Sequence, residues 1–379
     1  MASSKREASS SPSSSPSSKR EVQDPRPSSS VLLLSATNEV LLLHRVKTST
    51  SFASALVFPG GNLDPFHDGR VPAPGSPERH RDGPAYRMGA IRETFEETGI
   101  LLATRDGALV NLSVEDKDEA RRNIHNNRVR FGDFLESIGA VADTAGLMPF
   151  TRWITPTNVP LNMPRRFTTQ MYIYLLPPVP VPVPVSGSGS GSGNSVVPSE
   201  MLIPSPDGGI EHTAAQFAPA QSFLARAAEN SIILFPPQTY LLTLLGRLLT
   251  GSTTDVEAGP LHYVGQRRRL VSFLGSKVTA DTERGRQHAT ARIPWADKVI
   301  CPYKLLVREQ DGRVVMALDK PGPELEGSGR GGDWERVALV KFGGRGPSDV
   351  EIRLREDEVL EAQRRRRRRR RSETNNNKL

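Results

Sequence analysis

Apolar residues near the start of this chain come in short dense runs, Val31-Leu32-Leu33-Leu34, Val40-Leu41-Leu42-Leu43 and Leu56-Val57-Phe58. Runs of this length, bounded by polar turn residues, read as strands buried on both faces. The first two are parted by Ser35 to Glu39, with a turn signal at Thr37-Asn38, and form a hairpin; the third runs into Pro59-Gly60-Gly61. The period then changes. Met88, Ile91 and Phe95 stand three and four apart, the apolar stripe of a helix that docks on a sheet. Asp82 or Gly83 caps that helix, Pro84 suits its first turn, and Gly99 stops it after Thr98. Ile100-Leu101-Leu102 begins another strand, and residues 115 to 138 read as helical, with Ile124, Val129 and Phe134 inward and Arg121-Arg122 as a solvated pair. Gln170 to Leu175 is a strand, Pro237 to Leu249 a leucine-rich helix closed by Gly251, and Ile300, Lys304 to Val307, Val314 to Leu318, Val337 to Lys341 and Val350 to Leu354 are short strands. Strands mixed with helices in this way make an α/β fold.

Low-complexity stretches divide the chain. Residues 1–29 hold little to bury and read as a disordered tail. A main domain over 30–251 carries two loop insertions: 62–83, rich in Pro, Gly, His and charge, read as surface loop, and 177–209, Pro-Val then Ser-Gly repeats. A basic connector follows over 252–293, then a small C-terminal β extension over 294–358 and a disordered Arg-rich tail over 359–379. The formal charge of +8 resides in that tail, since Arg364 to Arg371 supply eight positive charges and the remainder sums to zero. The high charge therefore says nothing about a basic groove on the folded body, and nucleic acid is not an expected partner. Cys301 is the single cysteine, so no intrachain disulfide forms, and it reads as a small buried apolar residue. No apolar run approaches the ~18 residues of a membrane span, and the N-terminus lacks the apolar core of a signal peptide.

The chemistry is concentrated in Arg92-Glu93-Thr94-Phe95-Glu96-Glu97-Thr98-Gly99-Ile100. On a helix the three glutamates share one face, where like charges repel. A hard divalent cation reverses that repulsion, because Mg²⁺ takes oxygen ligands from one or two carboxylates plus substrate phosphates. The residues alone leave a metal site and a solvated acidic helix equally open. His67 and His80, in the insertion, read as solvated loop histidines.

These residues are similar to the second half of the Nudix box, G-x5-E-x7-R-E-U-x-E-E-x-G-U with U a bulky apolar residue. Arg92, Glu93, Glu96, Glu97, Gly99 and Ile100 match, Thr94 stands at an apolar position, and Phe58-Pro59-Gly60-Gly61 resembles the opening glycine turn. The usual step from that glycine to the arginine is 14 residues, whereas Gly61 to Arg92 is 31; 17 are inserted, and Pro84 takes the first glutamate's position. The resemblance implies a Nudix α/β/α sandwich with a mixed sheet and a Mg²⁺ or Mn²⁺ cofactor. It implies Glu93, Glu96 and Glu97 as metal ligands (Glu93 being ligand or base) and Arg92 as the residue orienting them. It also implies the Gly61 carbonyl and a carboxylate beyond the box, Glu211, as further ligands, with Phe217-Ala218-Pro219 opening a short helix.

A narrower resemblance, to the peroxisomal acyl-coenzyme A diphosphatase group of Nudix proteins, rests on Trp153-Ile154-Thr155-Pro156, on Arg165-Arg166-Phe167 and on Phe235-Pro236-Pro237-Gln238. Thr168 stands where that group has an aspartate. The segment from Leu41 to Gly61, with Arg45, loosely resembles the coenzyme A signature. This resemblance implies hydrolysis of coenzyme A or its acyl esters to 4′-phosphopantetheine and adenosine 3′,5′-bisphosphate, with Arg45, Arg165 and Arg166 on the substrate. The rival readings are a Nudix hydrolase of ADP-ribose, a dinucleotide or capped RNA, and a catalytically silent Nudix protein that binds nucleotide or, through its arginine tail, nucleic acid. Asn377-Lys378-Leu379 matches the last two positions of the Ser-Lys-Leu address read by peroxisomal import receptors, which sets peroxisomal location against cytoplasm or nucleus.

Overall fold

The computed structural model describes residues 23–45, 55–157, 165–178, 212–251, 259–343 and 346–376. The two leucine runs become β1 (Arg26–Leu34) and β2 (Val40–Arg45), an antiparallel hairpin turned at Asn38, whose φ of 61° suits asparagine. β3 (Leu56–Val57) pairs with β2, and β4 (Gly60–Asn62) lies against Ser28 to Ser30 of β1. Strand β1 thus begins inside the segment expected to be a disordered tail, because Ser28, Ser29 and Ser30 are buried under that glycine turn. The insertion also departs from a solvated loop. It holds α1 (Pro65–Asp68) and a 3-10 turn over Pro77–His80, and it buries His67, Asp68, Arg79 and His80.

Helix α2 (Pro84–Thr98) comes next, ended by Gly99 at φ 72° with its N–H on the Phe95 carbonyl at 2.8 Å. After it stands a small sheet of β5 (Ala103–Arg105), β6 (Ala108–Leu109) and a later strand. The helix expected over 115–138 is two helices, α3 (Val114–His125) and α4 (Phe131–Ser137), broken where Asn127 adopts a φ of 56°. β7 (Val141–Ala142) completes the small sheet, and β8 (Met148–Ile154), β9 (Phe167–Leu175) and β10 (His212–Ala218) return to the large one. α5 (Ala220–Ala228), α6 (Pro236–Gly246) and α7 (Gly259–Leu274) then cover its other face.

The main path of the large sheet runs β10-β2-β1-β9-β8 and then β11 (Val299–Ile300); before it comes the short α8 (Glu283–Gln287). β1 and β9 are parallel while β1–β2, β8–β9 and β2–β10 are antiparallel, so the sheet is mixed. Side chains alternate across it. Val31, Leu33, Leu41 and Leu43 pack with Ile91 and Phe95 of α2, and Leu32, Leu34, Val40 and Leu42 pack with Tyr240, Leu244 and Leu245 of α6. Each such valine or leucine contributes roughly 1.5–3 kcal/mol on full burial, which is why four apolar residues can stand in a row. The result is an α/β/α sandwich.

The C-terminal strands β12 (Tyr303–Val307), β13 (Val314–Leu318), β14 (Asp333–Gly343) and β15 (Gly346–Leu354) form a second antiparallel sheet. Leu318 and Ile352 join the α6-side core, and Tyr240 donates to Asp333 at 2.7 Å, so this sheet is built onto the sandwich. Its last element, α9 (Arg355–Asn376), is a helix where a disordered tail was expected. An acidic first turn at Glu356, Asp357 and Glu358 favours a helix start by opposing the helix dipole.

From Gly259 onward the basic connector is likewise structured. Arg267 of α7 donates to Asn38 Oδ1, the Leu176 carbonyl and the Ser35 carbonyl, each at 2.7 Å. That clamps α7 to the first hairpin. Arg267→Met removes all three bonds while keeping most of the aliphatic stem, so a stability loss of about 3 kcal/mol is expected at ~1 kcal/mol per bond. Chemical denaturation reads it as a lower midpoint; an unshifted midpoint rejects the clamp.

Candidate functional site

Arg92 is the centre of a buried ion-pair cluster. Its Nε and Nη2 donate to Asp68 Oδ1 and Oδ2 at 2.8 and 2.9 Å, a forked pair, while Nη1 reaches Glu96 at 2.7 Å and Glu93 at 3.0 Å. Nη2 also donates to the Asn62 carbonyl at 3.0 Å, which ties α2 to the end of β4. The Asp68 side chain has no solvent exposure and takes a further bond from the Asp64 N–H at 2.8 Å. Pro84 leaves no carboxylate at the motif's first glutamate, and Asp68, from inside the insertion, supplies the buried carboxylate that Arg92 needs. The sequence carried one signal for it: Asp64-Pro65 is a capping residue before an N-terminal proline, a helix start that marks the segment as ordered.

The glycine turn sits against the acids. Gly60 donates its N–H to Glu97 Oε2 at 2.8 Å. Its φ of 150°, and a β1 backbone so close that a Cβ would lie 2.3 Å from the Ser29 carbonyl, both demand glycine. A Cβ on Gly61 would lie 2.5 Å from Glu93 Oε1, so the Glu93 carboxylate rests on bare backbone. Glu93 and Glu97 therefore flank the turn. Glu96 differs, held between Arg92 and His125 Nδ1 at 3.5 Å. Arg121, expected in a solvated pair, is buried and caps α2 by donating to the Glu96 carbonyl at 2.8 Å.

Three carboxylates, those of Asp68, Glu93 and Glu96, share the Arg92 guanidinium. Burial, opposed by Arg92 and reinforced by Glu96 and Asp68, pushes the Glu93 carboxyl up to about 7. An oxygen-only donor set in which three carboxylates share one guanidinium fits a hard divalent cation. Among the described residues no group of three or more His, Cys, Asp or Glu side chains is placed to hold a metal ion. The two glutamates at the turn thus fit an ion whose remaining ligands are backbone oxygen, water or substrate phosphate, which is the usual pattern for Mg²⁺.

Other expected site residues are placed differently. Arg166 is buried, donating to the Thr155 and Gln23 carbonyls at 2.9 and 3.1 Å and paired with Glu324, so it anchors the head of β9 rather than facing a substrate. Arg165 beside it is exposed. Arg45 ends β2, its backbone paired with His212, and its side chain is outside those described. Glu211 and the terminal Asn377-Lys378-Leu379 lie outside the described residues. His67 bonds Asn127 at 2.7 Å and the Phe131 N–H at 3.1 Å, and His80 bonds Thr168 at 3.1 Å. Both are structural, not solvated. Thr168 also accepts from the fully buried Arg152 at 3.1 Å, and the Arg152 guanidinium lies 4.4 Å from the centre of the Tyr86 ring. The threonine is thus the hub of a packed polar cluster.

Residues 77–187 match the family model for the NUDT19 Nudix domain. The chain is similar to a nudix hydrolase 7 of Caenorhabditis elegans, 30% identical over 38% of this chain and 42% of that one. It is also similar to proteins named acyl-coenzyme A diphosphatase NUDT19: that of Gallus gallus, 33% identical over 31% of this chain and 34% of that one, and that of Xenopus laevis, 27% identical over 36% and 47%. The matched stretches thus cover less than half of each relative. Among solved structures, a NUDIX hydrolase from Alicyclobacillus acidocaldarius aligns over 59% of this chain and 91% of its own, with a TM-score of 0.43 and 20% identity. The motif and the family model coincide on α2, so residues 77–187 are similar to a Nudix hydrolase domain.

Proposed function

We propose that this chain is a metal-dependent diphosphatase acting on coenzyme A or its acyl esters. The observation that carries the reading is the pair of Glu93 and Glu97 carboxylates held against the Gly60-Gly61 turn. Glu97 and Glu93, with the Gly61 carbonyl, would hold Mg²⁺ or Mn²⁺; Glu96 is a candidate ligand on release from His125, and Glu211 a candidate beyond the box. When bound, the cation supplies charge neutralisation on the bridging phosphates. The protein's own part is positional. Arg92 orders the glutamates, α2 and the turn keep one carboxylate beside the phosphorus to take a proton from the attacking water, and the exposed Arg165 offers a forked donor to phosphate.

The choice of substrate is supported by two NUDT19 relatives named for acyl-coenzyme A, together with the Trp153 to Pro156 and Phe235 to Gln238 segments. Purified protein incubated with Mg²⁺ or Mn²⁺ and a panel of coenzyme A, acyl-coenzyme A, ADP-ribose, dinucleotide and capped RNA should hydrolyse the coenzyme A compounds with the highest kcat/KM. Higher kcat/KM on another member replaces the substrate and keeps the chemistry. Inactivity on all of them leaves a nucleotide-binding protein.

For location we propose peroxisomal import through Lys378-Leu379. A fluorescent protein fused at the N-terminus should give puncta on a peroxisomal marker that disperse when those two residues are removed. A diffuse or nuclear signal from the intact fusion ends the proposal.

A further inference from the structure

Helix α9 is anchored at one end. Arg355 pairs with Asp319 at 2.5 Å and lies over the Trp334 ring at 5.2 Å, while the buried Glu358 faces Arg308 at 3.5 Å. Beyond this anchor the helix continues through Arg364 to Arg371 without interruption. Arg364, Arg365 and Arg367 are exposed, and Arg365 meets an acid of its own helix, Glu361, at 3.1 Å. An α-helix rises ~1.5 Å per residue, so the eight-arginine segment spans roughly 12 Å of axis. Duplex nucleic acid carries one negative charge per ~1.7 Å of its axis, about seven over that length.

We infer that the arginine segment of α9 is a binding element for duplex nucleic acid, independent of the hydrolase site. Three features favour this partner. Arginine's planar fork matches phosphate oxygens, and a single α-helix fits the major groove. Within the arginine run and on to Lys378 there is no large apolar side chain. The segment therefore lacks the apolar face by which an interfacial helix enters a lipid surface. Third, the rest of the chain is formally neutral, so the net positive charge of the chain is carried by this segment.

The test uses the full chain, a chain ending at Gln363, and a full-length variant with Arg364 to Arg371 each changed to Gln. The shortened chain keeps the Arg355 and Glu358 anchors; equal denaturation midpoints check that both variants fold. Anisotropy of a fluorescein-labelled 20-base-pair DNA is followed from 50 to 200 mM KCl, beside vesicles of phosphatidylcholine with phosphatidylserine. Contacts by four to eight arginines give a log–log salt slope between about −4 and −7, a fall of roughly 10²–10⁴-fold in affinity across that range. The full chain should show that slope and both variants should fail to bind. Equal binding by either variant, no binding by the full chain at 50 mM, or tighter binding to the vesicles than to the duplex overturns the inference.

Discussion

Glu97→Gln is expected to lower diphosphate hydrolysis by about 10²–10⁴-fold, the range for loss of a group acting directly in the reaction, with the fold intact. The glutamine keeps an oxygen to accept the Gly60 N–H, so the 2.8 Å tie between α2 and the turn survives in weaker form. The negative charge is what disappears. Because Glu96 is already engaged by Arg92 and His125, it does not stand in for Glu97 without giving up those partners. Two measurements check this: turnover of the best substrate, and binding of Mn²⁺ alone, read from the paramagnetic signal of the free ion. Activity and Mn²⁺ affinity within a few-fold of the parent chain would remove Glu97 from the site and with it the proposed chemistry.

Asp68→Asn should be the second large effect, although Asp68 touches neither substrate nor turn. Removing one partner of a buried ion pair costs about 3–5 kcal/mol, and Arg92 retains Glu93 and Glu96, so a loss near the lower end, about 3 kcal/mol, is expected. Arg92 is then drawn toward the two glutamates it should only steady, and Mn²⁺ affinity should fall by roughly 10–100-fold, as when an outer partner of a ligand is lost. Asp68→Glu is not expected to restore either property. The Asp68 side chain is fully enclosed and lies against Gly89, where a Cβ would be 3.0 Å from its Oδ2, so a longer side chain has to shift its carboxylate off the Arg92 fork. Parent-like stability and Mn²⁺ affinity in Asp68→Asn would show Arg92 to be held well enough by α2 itself.

Much of the sandwich was legible along the chain because its signals are local. Consecutive leucines between polar turns mean a strand with two buried faces, and Met88, Ile91 and Phe95 set the inward side of α2. The proline before that helix and the glycine after it mark its ends. The acidic face of α2 was legible for the same reason, since residues three and four apart on a helix share a side whatever surrounds them.

What lay beyond the sequence was whatever depends on a partner distant in the chain. Polar composition made the insertion look solvated, yet Asp68 is buried because Arg92, 24 positions away, is buried and needs a countercharge. The same holds for Arg267, whose acceptors at Ser35 and Asn38 come from the first hairpin, and for Arg166, whose donors are taken up by Gln23 and Glu324. A charged side chain carries no local sign of whether it will be solvated or paired. The sequence by itself determined the first hairpin, the acidic helix and the glycine turn. Tertiary structure decided which charges are buried together, because burying an ion is favourable only once its partner has been brought to it.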